Sequence, residues 1–168
     1  MDIGGQPINM AEIESEEVWD TIYVEVDGVE KQLFLASPSW FTGGDSAETG
    51  MDIPWGGRVY LAEAPQVNPE TIFKPKLLNG YMTYDVDLST ISCGCVAALY
   101  VSLLPGRNSL GEYEPSGDGL YYCDASRVDG NFCPEFDIME ANKHSWRSTH
   151  HACVDPVNGH YTNCDGSG

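Results

Sequence analysis

Between Cys133 and Cys153 the chain reads Cys133-Pro134-Glu135-Phe136-Asp137-Ile138-Met139-Glu140-Ala141-Asn142, then Lys143 to Thr149, then His150-His151-Ala152-Cys153. Three carboxylates fall within six residues, interleaved with apolar side chains, and the adjacent pair His150-His151 follows further on. Two carboxylates that face one cleft about 5–5.5 Å apart suit retaining glycoside hydrolysis. One attacks the sugar carbon, and the other, held protonated, delivers its proton to the leaving oxygen. A third carboxylate between them can orient the nucleophile and set its charge. The same pattern also suits a solvated acidic strand, which is common in a chain this acidic.

Position on a strand decides between these readings. Glu135, Phe136, Asp137 and Ile138 alternate polar and apolar, so side chains 135 and 137 share a face. Glu140 has the opposite parity and points away on a straight strand. A bulge or twist between Asp137 and Glu140 would return it to the shared face.

The rest of the chain must supply the neighbours of that strand. Residues 1–17 read as a poorly structured lead-in, followed by one domain or a fragment of one over 18–168. Thr21 to Val26 alternates, Asp27-Gly28 is a two-residue turn signal, and Val29 to Leu35 continues, which predicts a hairpin. Ser37 to Gly57 reads as loop, with Trp40 and Trp55 in it. A tryptophan there either stacks on a sugar face or plugs the core, and the plug is the favoured reading. Strands are predicted over Arg58 to Ala64, Thr71 to Leu77 and Tyr81 to Leu88. Val96 to Leu104 is a nearly continuous apolar run, which predicts a central strand. Leu120 to Tyr122 and Phe132 to Met139 read as strands, and Asn142 to Thr149 as a brief helix or loop. Short strands and turns throughout predict an all-β, antiparallel β-sandwich.

Composition narrows the partners. With 42% hydrophobic residues and aromatics throughout, the chain reads as globular. Eight basic residues stand against 26 acidic ones, a net charge of −18, which argues against nucleic acid and anionic membranes. The balance suits a neutral partner such as a polysaccharide. No apolar run is long enough to span a bilayer, and Met1 to Glu17 lacks the apolar core of a signal peptide. Either a leader has been removed or export follows another route.

An even count of cysteines, Cys93, Cys95, Cys123, Cys133, Cys153 and Cys164, suggests an oxidising, extracellular setting. Cys123 and Cys133 flank one tight turn and are the best pair. Cys153 with Cys164 is a local alternative, and Cys93-Gly94-Cys95 has no evident explanation. His150, His151, Cys153 and Cys164 are zinc-type ligands, but their spacing fits no compact finger, and adjacent histidines on a strand point apart. No metal and no cofactor is expected.

The run Glu135-x-Asp137-x-x-Glu140-Ala141-Asn142, with His151 and Cys153 at fixed distances beyond, resembles the active-site segment of glycoside hydrolase family 7. These are the cellobiohydrolases and endoglucanases that cut β-1,4-glucan. Arg58-Val59-Tyr60-Leu61, Tyr84 to Ser89, Cys93-Gly94, Ala98-Leu99-Tyr100 and Tyr122-Cys123-Asp124 extend the resemblance over roughly 58–168. It implies a concanavalin-like jelly roll, incomplete in this chain, with a concave substrate face and β-glucan as partner. Carried over residue by residue, it implies Glu135 as nucleophile, Glu140 as acid/base and Asp137 as the assistant to the nucleophile. His151, Tyr100 and Asp124 would bind substrate near the cleaved bond. Met139 stands where many members have tryptophan.

Family members also have a disulfide at the positions of Cys123 and Cys133. A second bridge found in many members falls on Arg127 and Phe132 here, so both of its halves are replaced together. The resemblance pairs Cys93, Cys153 and Cys164 with cysteines beyond residue 168. Family catalytic domains are more than twice this long. The chain is therefore expected to be either a piece of a longer one or a shortened relative whose open side is covered by a further polypeptide segment. A non-catalytic glucan-binding or structural subunit on the same fold remains the alternative.

Overall fold

A computed structural model describes residues 18–37, 43–47, 50–116, 120–128 and 130–167. Among these residues the protein is all-β. Its strands are β1 (Val18–Val26), β2 (Val29–Ala36), β3 (Asp45–Ala47), β4 (Gly50–Asp52), β5 (Tyr60–Ala62), β6 (Ala97–Ser102), β7 (Glu135–Asn142) and β8 (Ser145–His151). They form three antiparallel sheets, ordered β1-β2-β5, β3-β4 and β6-β7-β8. The chain divides between Val67 and Asn68 into two compact units.

In the first unit, the β1–β2 hairpin forms where the alternation and the Asp-Gly turn place it. Asp27 and Gly28 have φ of 52° and 78°, the left-handed pair of a type I′ turn that matches the strands' twist. Leu33, Leu35, Ala36 and Ala62 have no exposed surface and form the centre of this unit. The Asp20 carboxylate accepts hydrogen bonds from the Ser46 hydroxyl and from the backbone N–H of Thr21 and Ser46, tying β3 to β1. These bonds, the Ser46 hydroxyl first, hold Asp20 below the usual carboxylate range. The strand expected over Arg58–Ala64 is confined to Tyr60–Ala62, the part of that segment that pairs with β2. Trp55 is 78% exposed and plugs nothing. Trp40 and the lead-in 1–17 lie outside the described residues.

In the second unit, β7 lies between β6 and β8. Among the described residues, the apolar run expected to be a central strand is therefore at the edge of its sheet. Its apolar character serves two half-buried faces rather than two flanking neighbours. Thr71–Leu77 and Tyr81–Leu88 are not strands among the described residues. Alternation gives a chain two faces but supplies no partner, and Tyr81 is 91% exposed. Leu120–Tyr122 is irregular as well, because Tyr121 has a φ of 62°. The strand expected over Phe132–Met139 runs instead from Glu135 to Asn142.

The segment Asn142–Thr149, expected as helix or loop, is a tight turn followed by β8. Asn142 makes the turn, its side-chain carbonyl accepting from the N–H of His144 at 2.9 Å and of Ser145 at 3.1 Å. Leu120, Tyr122, Cys123, Ala125, Cys133, Met139 and Ala141 are the buried apolar residues around this sheet and the loop before it.

Candidate active site

The carboxylate strand carries a bulge. Asp137 pairs with Tyr100 of β6 and Thr149 of β8, but Glu140 pairs with Ala98 and Arg147, so β7 spends three residues where each neighbour spends two. The partners of Glu135, Asp137 and Glu140 are Ser102, Tyr100 and Ala98 on one side and His151, Thr149 and Arg147 on the other. Each set steps by two and therefore lies on one face. The extra residue thus returns Glu140 to the face of Glu135 and Asp137. The Ser148 hydroxyl, opposite the bulge, donates to the Ile138 carbonyl at 2.6 Å and fixes it. Phe136, Met139, Trp146 and His150 belong to the opposite face, where the Phe136 and His150 rings lie 6.5 Å apart. Trp146 therefore does not share the carboxylate face. It stacks on Tyr84 with ring centroids 6.4 Å apart.

Asp137 and His151 are both buried, and Asp137 Oδ2 lies 2.9 Å from His151 Nε2. His151 Nδ1 lies 2.7 Å from the backbone carbonyl oxygen of Asp165. A carbonyl only accepts, so Nδ1 carries a proton, and the carboxylate then calls for a second proton on Nε2. Burial opposes that charge. The Asp165 carbonyl and the Asp137 bond outweigh it, with the charges of Asp137 and Glu135 adding, so the imidazole is held above its ordinary pKa. His150 is exposed on the other face, as adjacent strand residues must be.

Glu135 is half-buried, and its Oε2 accepts from the backbone N–H of Ala125 at 3.1 Å. Burial raises its pKa most. The Ala125 bond and His151 work against the rise, while Asp137 and Asp124 add to it. Ala125 is placed by the loop that the Cys123–Cys133 disulfide closes. Asp124, on the same loop, is buried, accepting from the Tyr122 hydroxyl at 2.8 Å and from the Val128 N–H at 3.0 Å. Tyr122, its phenol pushed far up by burial and then by Tyr100 and Asp124, links Asp124 to half-buried Tyr100. Glu135, Asp137, Glu140, His151 and Tyr100 thus share one sheet face. Asp124 is joined to them through Tyr122, with both carboxylate oxygens engaged by the protein.

The resemblance did not point to Ala125 N–H, the Asp165 carbonyl, Tyr122 or Thr149. Thr149 is buried beside Asp137, and its hydroxyl has no partner among the described residues. Where the family's second bridge would fall, the Arg127 guanidinium lies 5.5 Å from the centre of the Phe132 ring. Cys153 is bonded to Cys164, the local alternative rather than pairing beyond residue 168. Those sulfurs are therefore not thiolate ligands for a metal.

No protein-family model and no solved structure matches the chain. Curated sequences do. Over part of its length the chain is similar to a family of fungal endo-beta-1,4-glucanases. It is 36% identical over 111 residues, 57% of this chain and 26% of the relative, to the probable endo-beta-1,4-glucanase celB of Aspergillus terreus. It is 35% identical over 126 residues, 66% of this chain and 29% of the relative, to the endo-beta-1,4-glucanase celB of Aspergillus oryzae. The celB enzyme of Emericella nidulans is 32% identical over 112 residues. The chain thus spans between a quarter and a third of the length of these relatives.

Proposed function

We propose that the β6-β7-β8 sheet carries the catalytic face of a retaining β-1,4-glucanase. The observation that carries this reading is the single-residue bulge between Asp137 and Glu140, which aligns three carboxylates in one row. Glu135 is the nucleophile, held by Ala125 N–H at one oxygen and open to attack at the other. Glu140 is the acid/base. Asp137, bonded to His151 at 2.9 Å and next to Glu135 in the row, steers the nucleophile by its position.

The bulge leaves Glu135 and Glu140 two same-face steps apart, roughly 13 Å along the backbone. A carboxyl separation of about 5–5.5 Å then requires both side chains to lean inward over Asp137. Tyr100 binds sugar, His151 acts at the substrate face through Asp137, and Asp124 orients Tyr122 and Tyr100 against the sugar.

The fold this implies is a concanavalin-like jelly roll of which the sheet is one part. A neutral β-glucan suits the charge of −18. The two disulfides suit an extracellular setting. A second reading is glucan binding without hydrolysis, favoured by the half-exposed Trp146 stacked on Tyr84, away from the carboxylates.

Hydrolysis of a chromogenic cellobioside or lactoside separates the two. The first reading expects turnover that Glu135→Gln abolishes. Cellulose binding with no turnover in the wild type would select the second.

A further inference from the structure

We propose that Ser102 is a positioning residue for Glu135: its hydroxyl holds the Cys123 carbonyl and so fixes the stretch of loop whose Ala125 N–H grips the Glu135 carboxylate. Ser102 ends β6 and pairs with Glu135 across the sheet, on the carboxylate face. A serine in that place reads at first as a donor to the carboxylate beside it. Its one proton goes elsewhere. Ser102 Oγ lies 2.5 Å from the Cys123 carbonyl oxygen, and a carbonyl only accepts, so the hydroxyl donates to it. Ser102 therefore acts on Glu135 through the loop rather than by donating to it.

Ala125 has no polar side-chain atom, so its N–H, 3.1 Å from Glu135 Oε2, is the whole of its hydrogen-bonding hold. The direction of that N–H depends on two successive peptide units. The unit joining Asp124 to Ala125 carries the N–H on one edge and the Asp124 carbonyl on the other, and that carbonyl accepts from the Cys133 N–H at 3.0 Å. The unit before it carries the Cys123 carbonyl, which Ser102 holds. Two planar units hinged at one α-carbon turn against each other, so releasing the first loosens the second. The Cys123–Cys133 bond ties down the Cys123 side chain but does not by itself set the direction of its carbonyl. Cys123, Asp124 and Ala125 are buried, so a released carbonyl is costly and the loop must shift to pair it.

The kinetic consequence rests on the reading of Glu135 as nucleophile, whereas the contact does not. The ionisable groups around Glu135 are Asp137 and Glu140 on its own strand, Tyr100 on β6, His151 and Arg147 on β8, and Asp124 on the loop. All of them stay in place when Ser102 is replaced, so a changed titration of Glu135 reports the Ala125 N–H. That bond holds the Glu135 pKa down against burial, and loosening it should let the pKa rise.

The test is a carbon-13 titration of the glutamate carboxyls by NMR, with the Glu135 signal identified by its loss in Glu135→Gln. Wild type, Ser102→Thr and Ser102→Val are compared, alongside turnover of a chromogenic cellobioside. Threonine and valine have nearly the same shape and both suit a strand, but only threonine keeps the hydroxyl. Glu135 should titrate at higher pH in Ser102→Val than in the wild type, and Ser102→Thr should match the wild type. In Ser102→Val, kcat should fall about tenfold with KM little changed, and Ser102→Thr should recover it. Thermal unfolding records whether each variant folds, and Ser102→Ala replaces Ser102→Val if the bulk of valine disrupts the sheet. Equal Glu135 midpoints with and without the hydroxyl would overturn the proposal. A wild type without turnover, but with midpoints that separate in this way, would uphold the role of Ser102 and sink the glucanase reading alone.

Discussion

The imidazole of His151 lies between the Asp137 carboxylate and the Asp165 carbonyl, and both favour its protonated form. His151 faces two acceptors, and Glu135 is lifted chiefly by burial, so both groups bind protons more tightly in the folded protein than in the unfolded chain. Their stabilising contribution is complete below the ordinary values of 4.5 for the carboxyl and 6.5 for the imidazole. It is lost as pH rises through the higher folded values. The melting temperature should therefore fall as pH rises from about 5 to about 8, and His151→Gln should flatten the upper part of that slope. Thermal unfolding at constant ionic strength checks this, and equal slopes for the two proteins would contradict it. At this scale the spacing anticipated that a bulge would bring Glu140 to the face of Glu135 and Asp137, and the register has that bulge. The Ala125 N–H and the Asp165 carbonyl were not legible in the sequence, because a backbone group has no residue-type signature. The engagement of both Asp124 oxygens depends on a loop shape that spacing does not define.

At the scale of elements, the bulge converts a parity mismatch into a shared face. Deleting Ile138 should restore plain alternation and send either Glu140 or Glu135 to the opposite face. Loss of acid catalysis should then cost activity about 10²–10⁴-fold. Circular dichroism alongside the assay would show whether the sheet survives, and retained activity in a folded deletion variant would remove the bulge from the account.

The loop before β7 offers a second comparison. The Arg127–Phe132 contact stands where the family's second bridge falls, and such a cation–π pair contributes about 0.5–1 kcal/mol. The Cys123–Cys133 bond contributes about 3 kcal/mol by restricting the unfolded chain. Urea unfolding should accordingly show Cys123→Ala/Cys133→Ala as the much larger loss and Arg127→Ala as the smaller. Comparable losses would mean that Arg127 does more than cover a ring. The hairpin at Asp27-Gly28 was legible because its turn demands two left-handed residues. β8 was missed because Asn142 makes the turn through its side chain, and a Trp-Arg-Ser-Thr-His run has no apolar period to announce a strand. Thr71–Leu77 and Tyr81–Leu88 were over-read, since alternation marks a surface but not its partner.

For the molecule as a whole, charge, disulfides and strand content define an acidic, disulfide-bonded, all-β chain among the described residues. The sequence conveyed that class because composition and alternation are properties of every segment at once. Sheet order was not conveyed, because an edge strand and a central strand can share the same apolar run, as β6 shows. The similarity to fungal glucanases places this chain against about a quarter of their length, and on this chain Glu135, Asp137 and Glu140 share a face. The most direct measurement is therefore covalent trapping. The protein would be incubated with 2-deoxy-2-fluoro-β-cellobiosyl fluoride, digested and mapped by mass spectrometry. A fluorocellobiosyl ester on Glu135, lost in Glu135→Gln and formed more slowly in His151→Gln, is the expected result. An unlabelled protein, or an ester on Glu140 in place of Glu135, would contradict the assignment.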